Sequence, residues 1–365
     1  MKVSTKFVTG PIDNLFDPKL GIYLPSYEEE KERIVTFQEL ALRRKNMKYP
    51  FSCLQTQLFE AMLREQQFLK VLKENPIAEL PENRQNMFIE KASLPLYAMR
   101  EIANGMGFRF MDYNLALMQA IGNVSNGVDD LSSEGIMHEL DYFGALSDVT
   151  PPNKQVFLCS LCDLVGTGDI LTKDKEEFEV IEVKKGHPRG ARITRQKEKL
   201  KALEDFLNSR KNTVEGHEIQ LINLPCRKNY CSKLNEAINT CLQNSISSFS
   251  ISDYQLVYCI NTREERINDI YKEVEKTFGK RYVDFLSVKY MHKTGLSVPF
   301  SVFPISPNNL AELLLEGVMF ISFISLDSVE KHITDKGWKF VNTIKETAEK
   351  DLFTSPIYIA VDKIM

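Results

Sequence analysis

One tryptophan, five histidines and seven cysteines are all that 365 residues contain of these types, and each scarcity closes a class. His138, His187, His217, His292 and His332 form no H-E-x-x-H or comparable ligand set. An odd cysteine count suits no disulfide framework, so the thiols are read as reduced. Cys159 and Cys162 form a lone C-x-x-C in a strand-like run. There, positions i and i+3 point to opposite faces, which argues against a zinc knuckle. Gly166-Thr167-Gly168 lacks the third glycine of a dinucleotide fingerprint and the lysine of a P-loop. No long apolar run is present. Leu313 to Leu326 is broken by Glu316, Gly317 and serines, short of the ~18 residues a membrane span needs. Met1-Lys2-Val3 leads into no apolar export segment, so a cytoplasmic chain without membrane contact is expected. Basic excess is missing too: the net charge is −4, and any attraction to a polyanion must be local.

What is present is a change of texture. Residues 1–26, rich in Pro, Gly and Asp, read as an irregular arm. Apolar residues then recur at three- and four-residue spacing through Tyr27–Met47 and Phe51–Asn75, with further helices expected over Pro95–Gly105 and Met111–Asn123. Residues 1–127 are therefore expected to form a helical N-terminal domain. A helix over Ser132–Leu146 follows, then strand-like runs at Gln155–Val165, Asp169–Thr172 and Phe178–Lys184. After a long helix, Ala191–Ser209, come a strand at Glu218–Leu224, a helix at Ser232–Leu242 and a strand at Tyr254–Ile260. This order suggests an α/β domain with a mixed sheet over residues 128–267, and a smaller α/β region over 268–365.

The run Phe178–Lys184 alternates, yet its apolar face ends in charge. If Phe178 and Val180 point inward, Glu182 and Lys184 follow them onto the same face. Lys173–Glu176 reads as a four-residue hairpin connection, pairing Thr172 with Glu177 and Asp169 with Val180. Asp169 then shares the face of Glu182 as a diagonal neighbour, near enough for two carboxylates to meet one ion. With the Val183 carbonyl they make a hard-oxygen set suited to Mg²⁺, with Mn²⁺ as the substitute ion. Lys184 would orient or deprotonate a metal-bound water. A surface Glu182–Lys184 pair on an edge strand is the plainer alternative.

Asp169 followed, after twelve intervening residues, by Glu182-Val183-Lys184 resembles the active-site signature of the PD-(D/E)XK nuclease superfamily, with Gly168 in place of the proline. The resemblance spans residues 128–262 and implies a restriction-endonuclease-like core. It also implies roles for two further residues. Glu139, in Gly135-Ile136-Met137-His138-Glu139, would join the metal ligands, or else be a solvated residue beside the core face. Gln196, on the inward stripe of Ile193 and Leu200, would stand by the active site, or else be a core glutamine.

From Lys184 to Lys211 basic residues dominate, and Arg192, Arg195 and Lys199 share one helical stripe. With Lys185 and Arg189 they would contact phosphates, unless the stripe is only a solvated face. The expectation is a Mg²⁺-dependent DNA endonuclease of a restriction, anti-phage defence or mobile-element system. Its flanking domains would select targets, bind a partner protein or support a homodimer. A non-catalytic nucleic-acid-binding or scaffold protein on a nuclease-like fold, or a ribonuclease, is the alternative. His187 in the following loop is read as incidental, and Trp338 as core rather than a base-stacking platform.

Overall fold

A computed structural model describes residues 26–43, 51–75, 81–114, 130–151, 153–163, 168–175, 177–183, 201, 204–209, 211–214, 217–220, 230–263, 267–286, 299–335, 338–342 and 359–363. Helices mix with antiparallel sheets. Two compact units share the chain, and both are discontinuous. One comprises Glu32–Arg227 and Val298–Phe303; the other comprises Met1–Lys31, Lys228–Ser297 and Pro304–Met365. Residues 32–114 thus fall in one unit with the first three strands, and residues 228–267 fall with the C-terminal region.

In the first unit, α1 (Tyr27–Gln38, entered from the other unit) passes into a π-helical turn at Glu39–Arg43. Helices α2 (Phe51–Glu74), α3 (Glu82–Ala92), α4 (Leu94–Phe110) and α5 (Glu134–Val149) follow. Pro95 starts α4, where a missing N–H costs nothing, and the Ser133 hydroxyl caps α5 by accepting the Ile136 N–H. Apolar almost all round, α4 buries Met99, Ile102, Met106 and Phe110 and forms the unit's centre. Helix α4 ends at Phe110, and Asp112 and Tyr113 take left-handed backbone angles (φ 54° and 57°); beyond Asn114 the helix expected over Met111–Asn123 lies outside the described residues.

Strands β1 (Lys154–Leu158), β2 (Ile170–Asp174) and β3 (Glu177–Ile181) form an antiparallel meander beside these helices. Phe157 of β1 stacks on Phe110 of α4 at 5.3 Å, and Phe178 of β3 meets Phe110 edge-on at 6.0 Å. Gly107 permits the approach: a Cβ there would lie 3.1 Å from Cys162 Sγ and 3.2 Å from the Phe157 ring. The strand expected over Gln155–Val165 ends at Leu158, and Cys159–Leu161 turns as a 3₁₀ helix instead. A short segment from much later in the chain completes the unit, with the Ser301 hydroxyl donating to the Glu101 carbonyl at 2.7 Å.

Both outer edges of the meander carry a side-chain amide in place of a neighbouring strand. On β1, buried Gln55 donates Nε2–H to the Val156 carbonyl and accepts the Leu158 N–H, each at 2.8 Å. These are the two bonds a parallel strand would make. On β3, Asn208 accepts the Phe178 N–H and donates to the Phe178 carbonyl, as an antiparallel partner residue would. A separate hairpin, β4 (Lys211–Val214) with β5 (His217–Gln220), follows.

The second unit centres on a sheet ordered β6 (Ile246–Ser252), β7 (Gln255–Asn261), β9 (Val318–Ser325), β8 (Tyr282–Leu286). Helices α6 (Cys231–Asn244), α7 (Ile267–Phe278), α8 (Pro307–Leu314) and α9 (Leu326–Thr334) accompany it. Strands β10 (Trp338–Asn342) and β11 (Ile359–Lys363) form a further pair. Ile270 and Val274 of α7 pack with Tyr258, Ile260, Ile321 and Phe323 on one face of the sheet. Buried Glu312 of α8 accepts hydrogen bonds from the Tyr27 hydroxyl at 2.6 Å and from Lys31 Nζ at 2.7 Å. Among the described residues every strand pairing is antiparallel, and none supplies the parallel pairing that the expected mixed sheet includes. Hairpins account for β2–β3 and β6–β7, where short connections permit only the antiparallel sense.

Candidate functional site

The register of the β2–β3 hairpin differs from the expected one by two residues. Asp174 pairs with Glu177, Thr172 with Glu179 and Ile170 with Ile181. Lys175 takes the left-handed angle (φ 56°) that a two-residue hairpin connection requires. Lys173 is therefore not a turn residue. It lies opposite Phe178, shares the inner face with Leu171 and Val180, and is buried. Its ammonium donates to the Phe110 carbonyl at 3.2 Å, pairs with Asp112 and sits 5.3 Å from the Phe178 ring centroid. A lysine at the end of α4 answers the negative pole of that helix.

At the other end of the hairpin stands Asp169, half-buried. Gly168 delivers the chain to it with φ 83°, and a Cβ on Gly168 would lie 2.6 Å from Val180 Cγ1. Only glycine meets both conditions. Asp169 is then held from two strands. Its carbonyl accepts the Cys159 N–H from the turn after β1, and its N–H donates to the Ile181 carbonyl, each near 3 Å. Its carboxylate Oδ2 accepts the Val183 N–H. Glu182 and Val183 follow β3 directly, and both are half-buried.

Glu139 arrives from α5. It falls three residues after Ile136 and four before Phe143, the two buried positions of that helix, and is half-buried between them. Helix α5 packs against β1, which brings Glu139 toward the turn that bonds Asp169. The buried Cys159 thiol registers the result. Burial above all, then the Cys162 thiol, then the carboxylates of Asp169 and Glu139, push it well above its ordinary value of 9.0. Two carboxylates from separate elements thus act on one buried atom.

Among the described residues no three His, Cys, Asp or Glu side chains are grouped as a metal site. Mg²⁺ keeps several waters and takes one or two carboxylates plus substrate phosphate oxygens. Asp169 and Glu139, with Glu182 and the Val183 carbonyl close in sequence to the Asp169 contact, suit that oxygen chemistry as a pair rather than a closed cage. Lys184, Lys185, Arg189, Arg192, Arg195, Gln196 and Lys199 lie outside the described residues, as does His187.

Several residues that build this region were missed. Gln55, Arg100, Asn104 and Asn208 are the polar groups that hold its backbone, and Lys173 was misplaced. Arg100 and Asn104 carried a legible signal: they stand four apart in a mostly apolar helix, a spacing that puts both on one face. The two cysteines also need correcting. Cys159 and Cys162 do not alternate across a strand. The Cys162 N–H donates to the Cys159 carbonyl within the 3₁₀ turn, and both thiols are buried and form no disulfide among the described residues.

No helix among the described residues is long and apolar enough to cross a membrane. No protein-family model, no curated protein and no solved structure matches the chain.

Proposed function

We propose that the chain is a metal-dependent nuclease that hydrolyses phosphodiester bonds, with DNA as its substrate. One observation carries the reading: the Asp169 carboxylate accepts the Val183 N–H at the end of an apolar hairpin, beside Glu182, while Glu139 stands on the helix packed against β1. A Gly-Asp bend, a hairpin and then Glu182-Val183-Lys184 is the order found in PD-(D/E)XK nucleases, which supports a restriction-endonuclease-like core. Asp169, Glu182 and Glu139, with the Val183 carbonyl, would hold Mg²⁺ or Mn²⁺. The ion would lower the pKa of a bound water and neutralise charge gathering on the phosphate. The chain's own residues then have separate tasks. The Val183 amide fixes the orientation of the Asp169 carboxylate, Lys184 orients the attacking water, and Gln196 borders the site. Lys185, Arg189, Arg192, Arg195 and Lys199 would hold the phosphate backbone. A cytoplasmic role in restriction, anti-phage defence or mobile-element chemistry follows from such an activity. Cutting both strands of a duplex with one centre per chain would call for a homodimer.

Plasmid DNA incubated with the protein and Mg²⁺ or Mn²⁺ tests this directly. Wild-type protein should nick or linearise the plasmid and lose activity in EDTA. Asp169→Asn and Lys184→Ala should each reduce cleavage by more than about a hundredfold while leaving DNA affinity nearly intact. The lack of a three-group metal site among the described residues favours one other reading, a non-catalytic nucleic-acid-binding protein. DNA retention without cleavage under any divalent ion would establish that reading instead. Preferential cutting of a parallel RNA substrate would identify a ribonuclease.

A further inference from the structure

Two buried polar residues of α4 stand behind the candidate centre. Arg100 is 4% exposed and Asn104 5% exposed, one helical turn apart. Arg100 Nη1 donates to the Ser160 carbonyl at 3.1 Å and the Leu161 carbonyl at 3.3 Å, and lies 3.3 Å from Asp163 Oδ1. Asn104 Oδ1 accepts the Asp163 N–H at 2.9 Å and the Cys162 S–H at 3.2 Å. Together they clamp residues 160–163. That turn begins at Cys159, whose N–H bonds the Asp169 carbonyl. The chain of contacts runs from α4, through the 3₁₀ turn, to the backbone of Asp169, whose carboxylate accepts the Val183 N–H just after β3.

Stability alone gives Arg100 little reason to be there. Its Nε and Nη2 are buried and have no hydrogen-bond partner among the described residues. A buried guanidinium satisfied on one nitrogen is costly, and an apolar side chain of similar volume would serve a core helix at least as well. A local rule broken with only partial compensation, from two carbonyls and the part-exposed Asp163, points to a functional constraint. Asn104 fits the same account. Its carbonyl oxygen accepts the Asp163 N–H, a backbone group that would have met a strand partner if β1 had run on as its sequence suggests. The pair stops β1 and bends the chain, so that the Cys159 N–H, not a longer strand, meets Asp169.

We infer that Arg100 and Asn104 are positioning residues for the candidate centre, acting on Asp169 through the 159–163 turn. The purpose assigned to them rests on the nuclease reading, but the placement can be read independently of it. Outer partners of this kind typically change metal affinity or activity by about 10- to 100-fold. They touch neither substrate nor ion.

The experiment uses full-length protein carrying Arg100→Lys, which keeps the charge and loses the fork, or Asn104→Leu, which keeps the volume and loses the acceptor. Amide hydrogen exchange is followed at Cys159, Val183 and Phe178, with plasmid cleavage in Mn²⁺ measured alongside. Exchange at Cys159 and Val183 should rise roughly tenfold, as expected for loss of a single hydrogen bond. Phe178, held by Asn208 on the far edge of the meander, should keep its protection. Cleavage should fall about 10- to 100-fold. Unchanged Val183 protection in both variants would overturn the inference. So would an equal loss of protection at Val183 and Phe178, which would mean general destabilisation. Selective loss at Cys159 and Val183 in a protein that cuts no nucleic acid would leave the positioning intact and remove the nuclease reading.

Discussion

Single side chains in this protein make opposite choices about charge, and each choice can be measured. Lys173 places an ammonium beneath the hairpin, where Asp112 is its counter-charge. Lys173→Met keeps the stem's packing, removes the charge and should change stability by within about 1 kcal/mol. Asp112→Asn tolerates the left-handed backbone but strands the ammonium. It should cost about 1–2 kcal/mol by urea unfolding, less than a fully buried pair because Asp112 is 58% exposed. Cys159 chooses neutrality. Its folded value lies above the ordinary 9.0, so its contribution is whole below pH 9.0 and is lost as pH rises beyond it. The melting temperature should therefore fall above pH 9.0, and Cys159→Ala should flatten part of that slope. The remainder belongs to groups such as Cys259, which burial pushes up to about 12. Near about pH 8 an alkylating reagent should modify exposed Cys53 and spare Cys159. Of this residue-scale detail, the hairpin pairing suggested Asp169 as a candidate, and the resemblance of its motif to PD-(D/E)XK nucleases suggested Glu139. It misjudged Lys173, because a charged residue beside Asp174 and Lys175 reads as turn until the register is known.

Elements were legible where burial is one-sided and obscure where side chains replace backbone. The alternation of Glu177–Ile181 reads straight off as a half-buried strand, and exposure alternates as expected. The register did not, since a two-residue and a four-residue connection put the same residues on the same face. Strand β6 was overlooked because its Ile-Ser-Ser-Phe-Ser-Ile-Ser run is polar enough to pass for a loop. The early end of β1 was hidden for another reason: Arg100 and Asn104, distant in sequence, take over its hydrogen bonds. Edge capping gives the clearest test at this scale. Gln55→Ala leaves the Val156 carbonyl and the Leu158 N–H without their partner in the interior, at about 1–3 kcal/mol each. Unfolding should show a loss of roughly 2–4 kcal/mol in total. Gly168→Ala should be at least as damaging locally. It adds a Cβ against Val180 at a left-handed angle, and under the proposed nuclease reading cleavage should fall even at an assay temperature low enough to keep the variant folded.

At the scale of the molecule, helices and antiparallel sheets fall into two units whose sequences are interleaved. Linear reading expected cuts near residues 127 and 267, where texture changes. It had no means of seeing that residues 298–303 return to the unit containing α4, since nothing local announces a pairing over 200 residues. Interleaving predicts how dissection should behave. A fragment ending at residue 227 lacks the Ser301 contact, and should be less stable than the same unit in the full chain. Adding a peptide spanning residues 298–303 in trans should restore little of it, because tethering supplies an effective concentration that free peptide lacks.

The same arrangement sets a clock on synthesis. A ribosome adding about 5–20 residues per second needs roughly 4–15 s to go from residue 227 to residue 303. Throughout that interval the Glu101 carbonyl, made long before, has no Ser301 hydroxyl to receive. The growing chain must shelter an unfinished core while its final piece is still being translated. Chaperone engagement, and any pause in elongation, should matter most in that window.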